Sequence, residues 1–176
     1  MRKTLLILTV LFSAACGQNH PGTTNNLERI ETLEAELRSK DRMDTLLGNA
    51  LIIEYDKFVE ANPKDSMSAV YLFKKAQVLK ATNGKHNEAI QAFKAVYKTY
   101  RYHAKAPEAM LATALFYEEM RSKDLAATTY KKFIATYPSN PLAENARDLL
   151  DLLDNTKETE LQMVKKWKDQ AENSEK

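Results

Sequence analysis

Residues 130–138 read Tyr-Lys-Lys-Phe-Ile-Ala-Thr-Tyr-Pro, and this stretch decides the fold because a similar stretch occurs twice before it. Residues 93–101 read Phe-Lys-Ala-Val-Tyr-Lys-Thr-Tyr-Arg, and residues 55–63 read Tyr-Asp-Lys-Phe-Val-Glu-Ala-Asn-Pro. The three stretches begin 38 and 37 residues apart, a spacing typical of repeats that stack helix pairs around a shared core. The sequence therefore predicts an all-α protein, an α-solenoid of about three helix pairs with a C-terminal capping helix.

The composition supports an all-helical chain and argues against nucleic-acid binding. The 176 residues include four glycines and five prolines, and Ala, Leu, Glu and Lys are abundant. The formal net charge is +2, but Arg2 and Lys3 belong to the N-terminal signal described below, and without them the net charge is zero. A neutral chain lacks the excess of cations with which proteins neutralise phosphates.

Charge is nevertheless distributed unevenly along the chain. Residues 64–105 contain nine Lys or Arg and two acidic residues, a net charge of +7. Residues 106–160 contain six basic and ten acidic residues, a net charge of −4. Opposite charge on adjacent repeats could dock a dipolar partner or a second copy of the chain head to tail. Two solvated faces of different sign account for the pattern equally well.

The N-terminus has the features of a lipoprotein signal. A basic start at Met1–Lys3 precedes an apolar run at residues 4–12 that is too short to cross a bilayer as a permanent helix. Small residues then lead to Cys16, the only cysteine in the sequence. This arrangement resembles the lipobox of bacterial lipoproteins, which implies that residues 1–15 are a signal peptide and that Cys16 is lipidated. The alternative is an ordinary secretory signal followed by an unpaired cysteine.

The residues after Cys16 indicate a location. By the same resemblance, an aspartate after the lipidated cysteine retains many lipoproteins in the inner membrane, and Gly17 stands there instead. We therefore expect a lipid anchor in the outer membrane of a Gram-negative bacterium, with the protein facing the periplasm. Residues 16–26 are polar and rich in turn-forming residues, which predicts a flexible tether between the anchor and the folded body.

Residues 27–43 predict an N-terminal helix with one apolar face. That face carries four residues spaced by three or four positions: Leu27, Ile30, Leu33 and Leu37. Two interpretations are open at this point. The face either packs against the next helix of the same chain, or it forms a short coiled-coil seam through which two copies associate. The seam would make the protein a self-associating structural spacer at the outer membrane.

Proline, glycine and capping residues divide residues 44–155 into helix pairs. Asn62-Pro63 and Tyr137-Pro138 mark helix ends, since the residue before a proline avoids helical dihedral angles. Gly84 can end another helix by adopting a left-handed conformation, and Pro107 suits the first turn of the helix that follows it.

Residues 156–176 predict a capping helix with a frayed tail. The sequence Asp154-Asn155 indicates a break before it, and Leu161, Val164 and Trp167 then recur at three-residue steps. A helix at this place covers the exposed end of the stack, as terminal repeats require.

The repeated units resemble tetratricopeptide repeats. The small, aromatic and proline positions of that motif are occupied in the third unit by Ala114, Tyr117, Ala126, Tyr130 and Pro138, and in the second unit by Ala76, Leu79, Ala89 and Phe93. The pattern Tyr-x-x-Phe-x-x-x-Tyr-Pro is similar to the variant in periplasmic repeat proteins, such as the BamD lipoproteins of the β-barrel assembly machine and the coordinator proteins of the Tol–Pal system. The resemblance implies a non-enzymatic adaptor that binds proteins in an outer-membrane or cell-envelope complex.

No catalytic or metal-binding motif is present in the sequence. It lacks a glycine-rich phosphate loop, a His-Glu-x-x-His or Gly-x-Ser-x-Gly motif, and any pair of cysteines. His86 and His103 stand at the two ends of one predicted helix, roughly 25 Å apart along its axis, so they cannot bind one metal ion together. We therefore expect a protein that is not an enzyme and uses no cofactor.

In tetratricopeptide repeats the first helix of each pair lines the groove that holds partners. Counted from Ala76 and Ala114, the resemblance places seven residues there: Phe73, Gln77, Lys80, Glu108, Leu111, Leu115 and Glu118. Their apolar strip, flanked by charged residues, suits an amphipathic helix or an extended apolar segment of a partner protein. The alternative is that Leu111 and Leu115 are covered by the following helices and belong to the core.

Overall fold

The computed structural model describes residues 21–82 and 84–174, and these residues are all-helical. They form seven helices: α1 (Pro21–Arg38), α2 (Thr45–Ala61), α3 (Ser66–Ala81), α4 (His86–Thr99), α5 (Lys105–Glu119), α6 (Lys123–Thr136) and α7 (Leu142–Ser174). The predicted signal peptide at 1–15, the lipidation site Cys16 and the last two residues lie outside the described residues.

Polar side chains fix the starts of three helices, α2, α3 and α7. Asp44 accepts hydrogen bonds from the N–H groups of Leu46 (2.9 Å) and Leu47 (3.1 Å) at the start of α2. Asp65 accepts one from the second N–H group of α3 (2.8 Å), and Asn140 accepts one from the first N–H group of α7 (2.9 Å). These bonds satisfy backbone donors that have no partner within the helix. The short polar residues near the prolines therefore set the helix boundaries that the sequence predicts.

The helices stack in chain order. Each helix packs against the next one, and α3 also contacts α5, the first helix of the following pair. The chain thus forms the pairs α1/α2, α3/α4 and α5/α6, followed by α7 on the end of the stack. This arrangement confirms the predicted α-solenoid of three helix pairs with a C-terminal capping helix.

Small and aromatic residues form the core of the stack. Alanines at the crossings between helices are fully buried, among them Ala76, Ala89, Ala114 and Ala126. They let the helix backbones approach closely, and Phe93, Tyr130 and Phe133 fill the spaces between successive pairs. A separate cluster joins the first pair to α3 and consists of Ile30, Leu33, Leu51, Tyr55, Phe58 and Tyr71.

The first helix begins earlier than the sequence predicts. It starts at Pro21, so residues 21–26 are helical and the prediction of a flexible tether over 16–26 is wrong for them. Proline is well suited to the first position of a helix. The Asn26 amide donates to the carboxylate (2.8 Å) and to the backbone carbonyl (3.1 Å) of Glu54 on α2. A contact across the helix pair, which local sequence does not reveal, thus stabilises this first turn and a half.

The apolar face of α1 packs inside its own chain. Ile30 is 1 % exposed, Leu33 is also buried, and Leu27 and Leu37 are partly buried against the same cluster. Burying a leucine or isoleucine stabilises a fold by about 1.5–3 kcal/mol, so exposing this face to form a seam would be costly. The prediction of self-association through these four residues is therefore wrong, and the packed-helix interpretation describes the structure.

The last helix is continuous over 33 residues, from Leu142 to Ser174. The predicted break at Asp154-Asn155 does not occur, so the predicted boundary between repeats ending at 155 and a capping helix from 156 lies inside one helix. Asp and Asn each cost only about 0.7 kcal/mol or less in a helix, which is too little to stop one. Beyond Leu153 the described side chains of α7 are exposed, including Leu161 and Val164, so the prediction that residues 156–176 cover the end of the stack is wrong. The first part of α7, with Ala143, Ala146 and Leu153 buried, covers it instead.

Two residues adopt left-handed backbone conformations. Gly84, after α3, has φ = 84°. It lies two positions beyond the C-cap Thr82, so its left-handed conformation serves the turn in which the Lys85 N–H group donates to the Thr82 carbonyl (3.3 Å), not the helix end as predicted. Arg121, after α5, has φ = 57°. Its N–H group donates to the backbone carbonyl of Glu118 (2.8 Å), and the N–H group of Ser122 donates to the backbone carbonyl of Tyr117 (2.8 Å). These two hydrogen bonds form a Schellman motif. A side chain with a Cβ atom thus occupies a position that favours glycine.

Candidate partner groove

A cavity of about 300 Å³ lies where α3 meets α5, the first helices of two successive pairs. Five of the seven residues that the sequence predicts for a partner groove line it: Phe73, Gln77, Lys80, Leu115 and Glu118. Its other lining residues are Phe93, Ala112 and Glu119. We call this cavity the α3–α5 groove. The structure thus brings five of the residues predicted from the resemblance together around one cavity.

The floor of the α3–α5 groove is apolar and partly aromatic. Phe73 packs edge to face on Phe93, with 5.4 Å between the ring centroids. Leu115 is partly buried, so one side of it contacts the core and the other faces the groove. Such a floor can bind the apolar side chains of a partner segment.

Charged residues at the rim of the groove are paired. Lys80 Nζ lies 2.6 Å from Glu119 Oε1, and the same ammonium lies 5.1 Å from the centroid of the Phe116 ring. Glu118 accepts a hydrogen bond from the Tyr130 hydroxyl (3.1 Å). Burial and the neighbouring Glu118 carboxylate both raise the pKa of Tyr130. The rim therefore carries one cation, Lys80, and two carboxylates, Glu118 and Glu119, around the apolar floor.

Gln77 links the α3–α5 groove to a second cavity of about 320 Å³. This second cavity lies between α1, α2 and α3 and is lined by Glu34, Leu37, Arg38, Met43, Leu51, Tyr55, Lys74, Gln77, Val78 and Ala81. Gln77 is exposed and borders both cavities, so the two cavities are neighbours on the stack. A segment longer than one helical turn could occupy both.

A polar network around Glu34 holds three helices together beside this second cavity. The Glu34 carboxylate of α1 accepts hydrogen bonds from the Tyr55 hydroxyl of α2 (2.8 Å) and from Lys74 Nζ of α3 (2.8 and 3.0 Å). Burial on its own raises the pKa of Glu34, but the bonds from Lys74, Tyr55 and Arg38 outweigh it and hold the pKa below its ordinary value. Glu34 is therefore a charged acceptor that positions α1 on the stack.

Two predicted groove residues lie elsewhere. Leu111 is 9 % exposed and belongs to the core, so the alternative interpretation is correct for it. Glu108 pairs with Lys105 (2.5 Å) in the first turn of α5. Lys105 Nζ in turn lies 5.0 Å from the centroid of the Phe73 ring, so this ion pair contacts the groove only through the lysine.

Sequence reasoning missed Phe93, Ala112 and Glu119 as lining residues. Glu119 lies four positions after Leu115, so helical periodicity could have identified it. Phe93 belongs to α4, the second helix of its pair, and its ring reaches the groove because Phe73 packs on it. That contact depends on how two helices cross, which spacing along one helix does not give.

Other features of the described residues do not converge on a chemical site. His103 Nδ1 accepts a hydrogen bond from the Lys105 N–H group (3.0 Å) at the start of α5, and the His86 ring packs on Phe116. Across residues 21–82 and 84–174, no group of three or more His, Cys, Asp or Glu side chains is placed to hold a metal ion. None of the helices in that part of the chain is both long and apolar enough to span a membrane.

Two further cavities lie away from the α3–α5 groove. One, of about 570 Å³, lies among α2, α3 and α4 and is lined partly by Ile52, Leu72 and Gln91. The other, of about 970 Å³, lies between the α5–α6 connection and the exposed half of α7. Both are larger than the α3–α5 groove. Cavity volume therefore does not identify the site at which a partner binds. We take the α3–α5 groove as the candidate because stacked-repeat proteins bind their partners on the concave face.

Comparison with known families agrees with the arrangement of α3 to α6. Residues 71–101 and 108–140 each match the family model described as Tetratricopeptide repeat. The first match covers most of α3 and all of α4, and the second covers most of α5 and all of α6. Searches of curated proteins and of solved structures found no significant match.

Proposed function

We propose that this chain, whose α3–α6 segment carries two tetratricopeptide repeats, is a non-enzymatic adaptor that holds a partner protein in the α3–α5 groove. Such repeats are typical of proteins that mediate protein–protein interactions. The observation that carries the proposal is the groove itself, an apolar floor of Phe73, Phe93 and Leu115 inside a charged rim of Lys80, Glu118 and Glu119. A floor of this kind fits an amphipathic helix or an extended apolar segment.

The groove suits apolar ligands better than a C-terminal carboxylate. A carboxylate clamp needs lysine and asparagine side chains directed at the ligand, and Phe73 and Leu115 stand at those positions. Lys80 is the one cation among the lining residues, and its ammonium is already 2.6 Å from Glu119. A free carboxylate would therefore meet the two acidic side chains of the rim, Glu118 and Glu119, with one paired cation to offset them.

The adaptor is proposed to be anchored by lipid on Cys16 in the outer membrane, facing the periplasm. Support comes from the basic, apolar and small-residue order of residues 1–15 before Cys16 and from Gly17 after it. The resemblance to BamD lipoproteins and to the Tol–Pal coordinator proteins favours a role in outer-membrane assembly or in another cell-envelope complex. Its partner would then be a protein component of that complex.

A crosslinked pull-down from membranes of the native host tests both parts of the proposal. Wild type is compared with Cys16→Ser, which removes the lipidation site, and with Gln77→Arg, which places a long cation between the two cavities. Gln91→Arg is the matched control, because Gln91 is also exposed but lines the cavity among α2, α3 and α4.

We expect envelope proteins to be recovered with wild type and Gln91→Arg and to be lost with Gln77→Arg. Cys16→Ser should move the chain out of the membrane fraction. Equal recovery with Gln77→Arg and wild type would contradict the groove, while retention of Cys16→Ser in membranes would contradict the anchor.

A further inference from the structure

One end of the stack carries the start of α1, and the antiparallel order of the helices determines what else lies there. Because successive helices alternate in direction, the connections at residues 62–65, 100–104 and 137–141 share that end. The Asn26–Glu54 hydrogen bonds place the first turns of α1 beside the last turns of α2. The Tyr100 hydroxyl donates to the Pro63 carbonyl (2.9 Å), which joins two of the connections directly. We call this the α1 end.

The α1 end presents an exposed aromatic residue beside a cation. The Tyr102 side chain is 87 % exposed, and the Arg101 guanidinium lies 4.4 Å from the centroid of its ring. Arg101 also donates a hydrogen bond to the Tyr102 hydroxyl. A ring this exposed contributes nothing to the core, so packing gives no reason for an aromatic residue at this position.

Cations surround this pair. Residues 89–107 and 125–143, which run through α4 and α6 into the α1 end, contain no Asp or Glu. Their exposed cations near this end are Lys98, Arg101, Lys131 and Lys132, and Lys64 is exposed in the neighbouring connection. Nearby acidic residues include Asp65, which caps α3, and the exposed Glu60 and Glu144. Glu108 and Glu54 also lie at this end, but each is paired with a further cation, Lys105 and Lys57 respectively. The balance at the α1 end is therefore positive.

We propose that the α1 end docks on anionic phospholipid headgroups, with Tyr102 and Arg101 at the centre of the contact. The inference rests on the lipid anchor of the proposed function. Five positions separate Cys16 from Pro21, and five residues span at most about 18 Å, so an anchor on Cys16 holds the α1 end close to the bilayer surface.

The chemistry of the exposed residues fits that surface. Tyrosine rings concentrate at membrane–water interfaces, where the apolar ring and the hydroxyl are both accommodated. Each Lys or Arg close to an anionic bilayer adds to the electrostatic attraction, which acts within about 8 Å at physiological salt. With the α1 end on the membrane, the exposed half of α7 projects away from the bilayer, since it extends beyond the opposite end of the stack.

A photo-reactive phenylalanine analogue at position 102 tests the contact in membranes of the native host. The matched control carries the same analogue at position 46, because Leu46 is 82 % exposed at the opposite end of the stack, in the first turn of α2. After illumination, the mass of the purified chain shows whether a phospholipid has been attached. We expect a phospholipid adduct at position 102 and none at position 46.

Charge reversal in the same experiment tests the electrostatic part. Lys98→Glu combined with Arg101→Glu should lower the adduct yield at position 102 severalfold, whereas Lys40→Glu combined with Arg42→Glu, at the opposite end, should not change it. A membrane-bound, lipidated chain without an adduct at 102 would overturn the docking proposal and leave the anchor intact. An unchanged yield after reversal at 98 and 101 would overturn recognition of anionic headgroups. Recovery of the chain in the soluble fraction would overturn the anchor and this inference with it.

Discussion

Replacing Glu34 with alanine is expected to lower the free energy of unfolding by about 2–3 kcal/mol. Glu34 is the acceptor for the hydroxyl of Tyr55, a residue that is 2 % exposed. Leaving a buried donor without a partner costs about 1–3 kcal/mol. Lys74 adds less, because its side chain is 37 % exposed and a solvated ion pair contributes about 0.2–1 kcal/mol. Urea unfolding followed by circular dichroism measures the sum.

Two further variants separate the hydroxyl from other effects of the substitution. Glu36→Ala is the matched control on the same helix, because Glu36 is exposed, and it should change stability by less than about 0.5 kcal/mol. In a Tyr55→Phe background no hydroxyl remains to be satisfied, so Glu34→Ala should cost about 1 kcal/mol or less. Equal losses in the two backgrounds, or a loss no larger than that of Glu36→Ala, would refute the reasoning.

The same network makes stability depend on pH. The pKa values of Glu34 and Glu54 are held below the ordinary value of 4.5: burial opposes this, but hydrogen bonds outweigh it, mainly from Lys74 for Glu34 and from Lys57 and Asn26 for Glu54. A carboxylate with a lowered pKa stabilises the folded state above its unfolded pKa. That contribution is lost as the pH falls below about 4.5 and through the folded pKa. We expect Glu34→Gln to flatten the acid side of the stability curve, and an unchanged pH profile would contradict this.

Three other substitutions test the packing. Arg121→Gly should raise the free energy of unfolding by about 0.5–1 kcal/mol in thermal melts, because glycine adopts φ = 57° without the cost of a Cβ atom; a lower melting temperature would contradict the Schellman interpretation. Phe133→Ala should lower it by about 3–5 kcal/mol in urea titrations, because Phe133 is 0 % exposed, and a loss below 1 kcal/mol would show that the site is not core. Leu111→Glu should abolish the helical circular dichroism signal, because it buries a charge. Gln77→Arg, at an exposed position, should preserve that signal. A Leu111→Glu chain that still folds would show that Leu111 lines the groove and is not part of the core.

The sequence predicts the fold where local chemistry decides it. Asp44, Asp65 and Asn140 are short polar residues that can accept from helix N–H groups, so three helix starts are readable from the chain alone. The repeat spacing predicts the buried alanines and aromatics because each unit must offer the same contacts to the next. The stacking order follows from that periodicity.

The remaining features depend on contacts between distant residues or on local preferences too weak to decide a boundary. The start of α1 depends on the hydrogen bond from Asn26 to Glu54, which is 28 positions away. Residues 21–26 alone do not predict that partner. The continuity of α7 depends on Asp154 and Asn155 being only weakly unfavourable in a helix. In the candidate site, Leu111 and Leu115 are one helical turn apart, yet one is core and the other lines the groove. Their difference arises from the crossing of α3 and α5, which is a property of packing.

Partner crosslinking from inside the groove tests the central claim most directly. A photo-reactive residue at Gln77, which borders both cavities of the proposed binding face, is compared in living cells with the same residue at Gln91 in the cavity among α2, α3 and α4. The account predicts a discrete adduct with another envelope protein from position 77 and none from position 91. An adduct from position 91 alone, or an adduct at 77 only with a second copy of this chain, would contradict it.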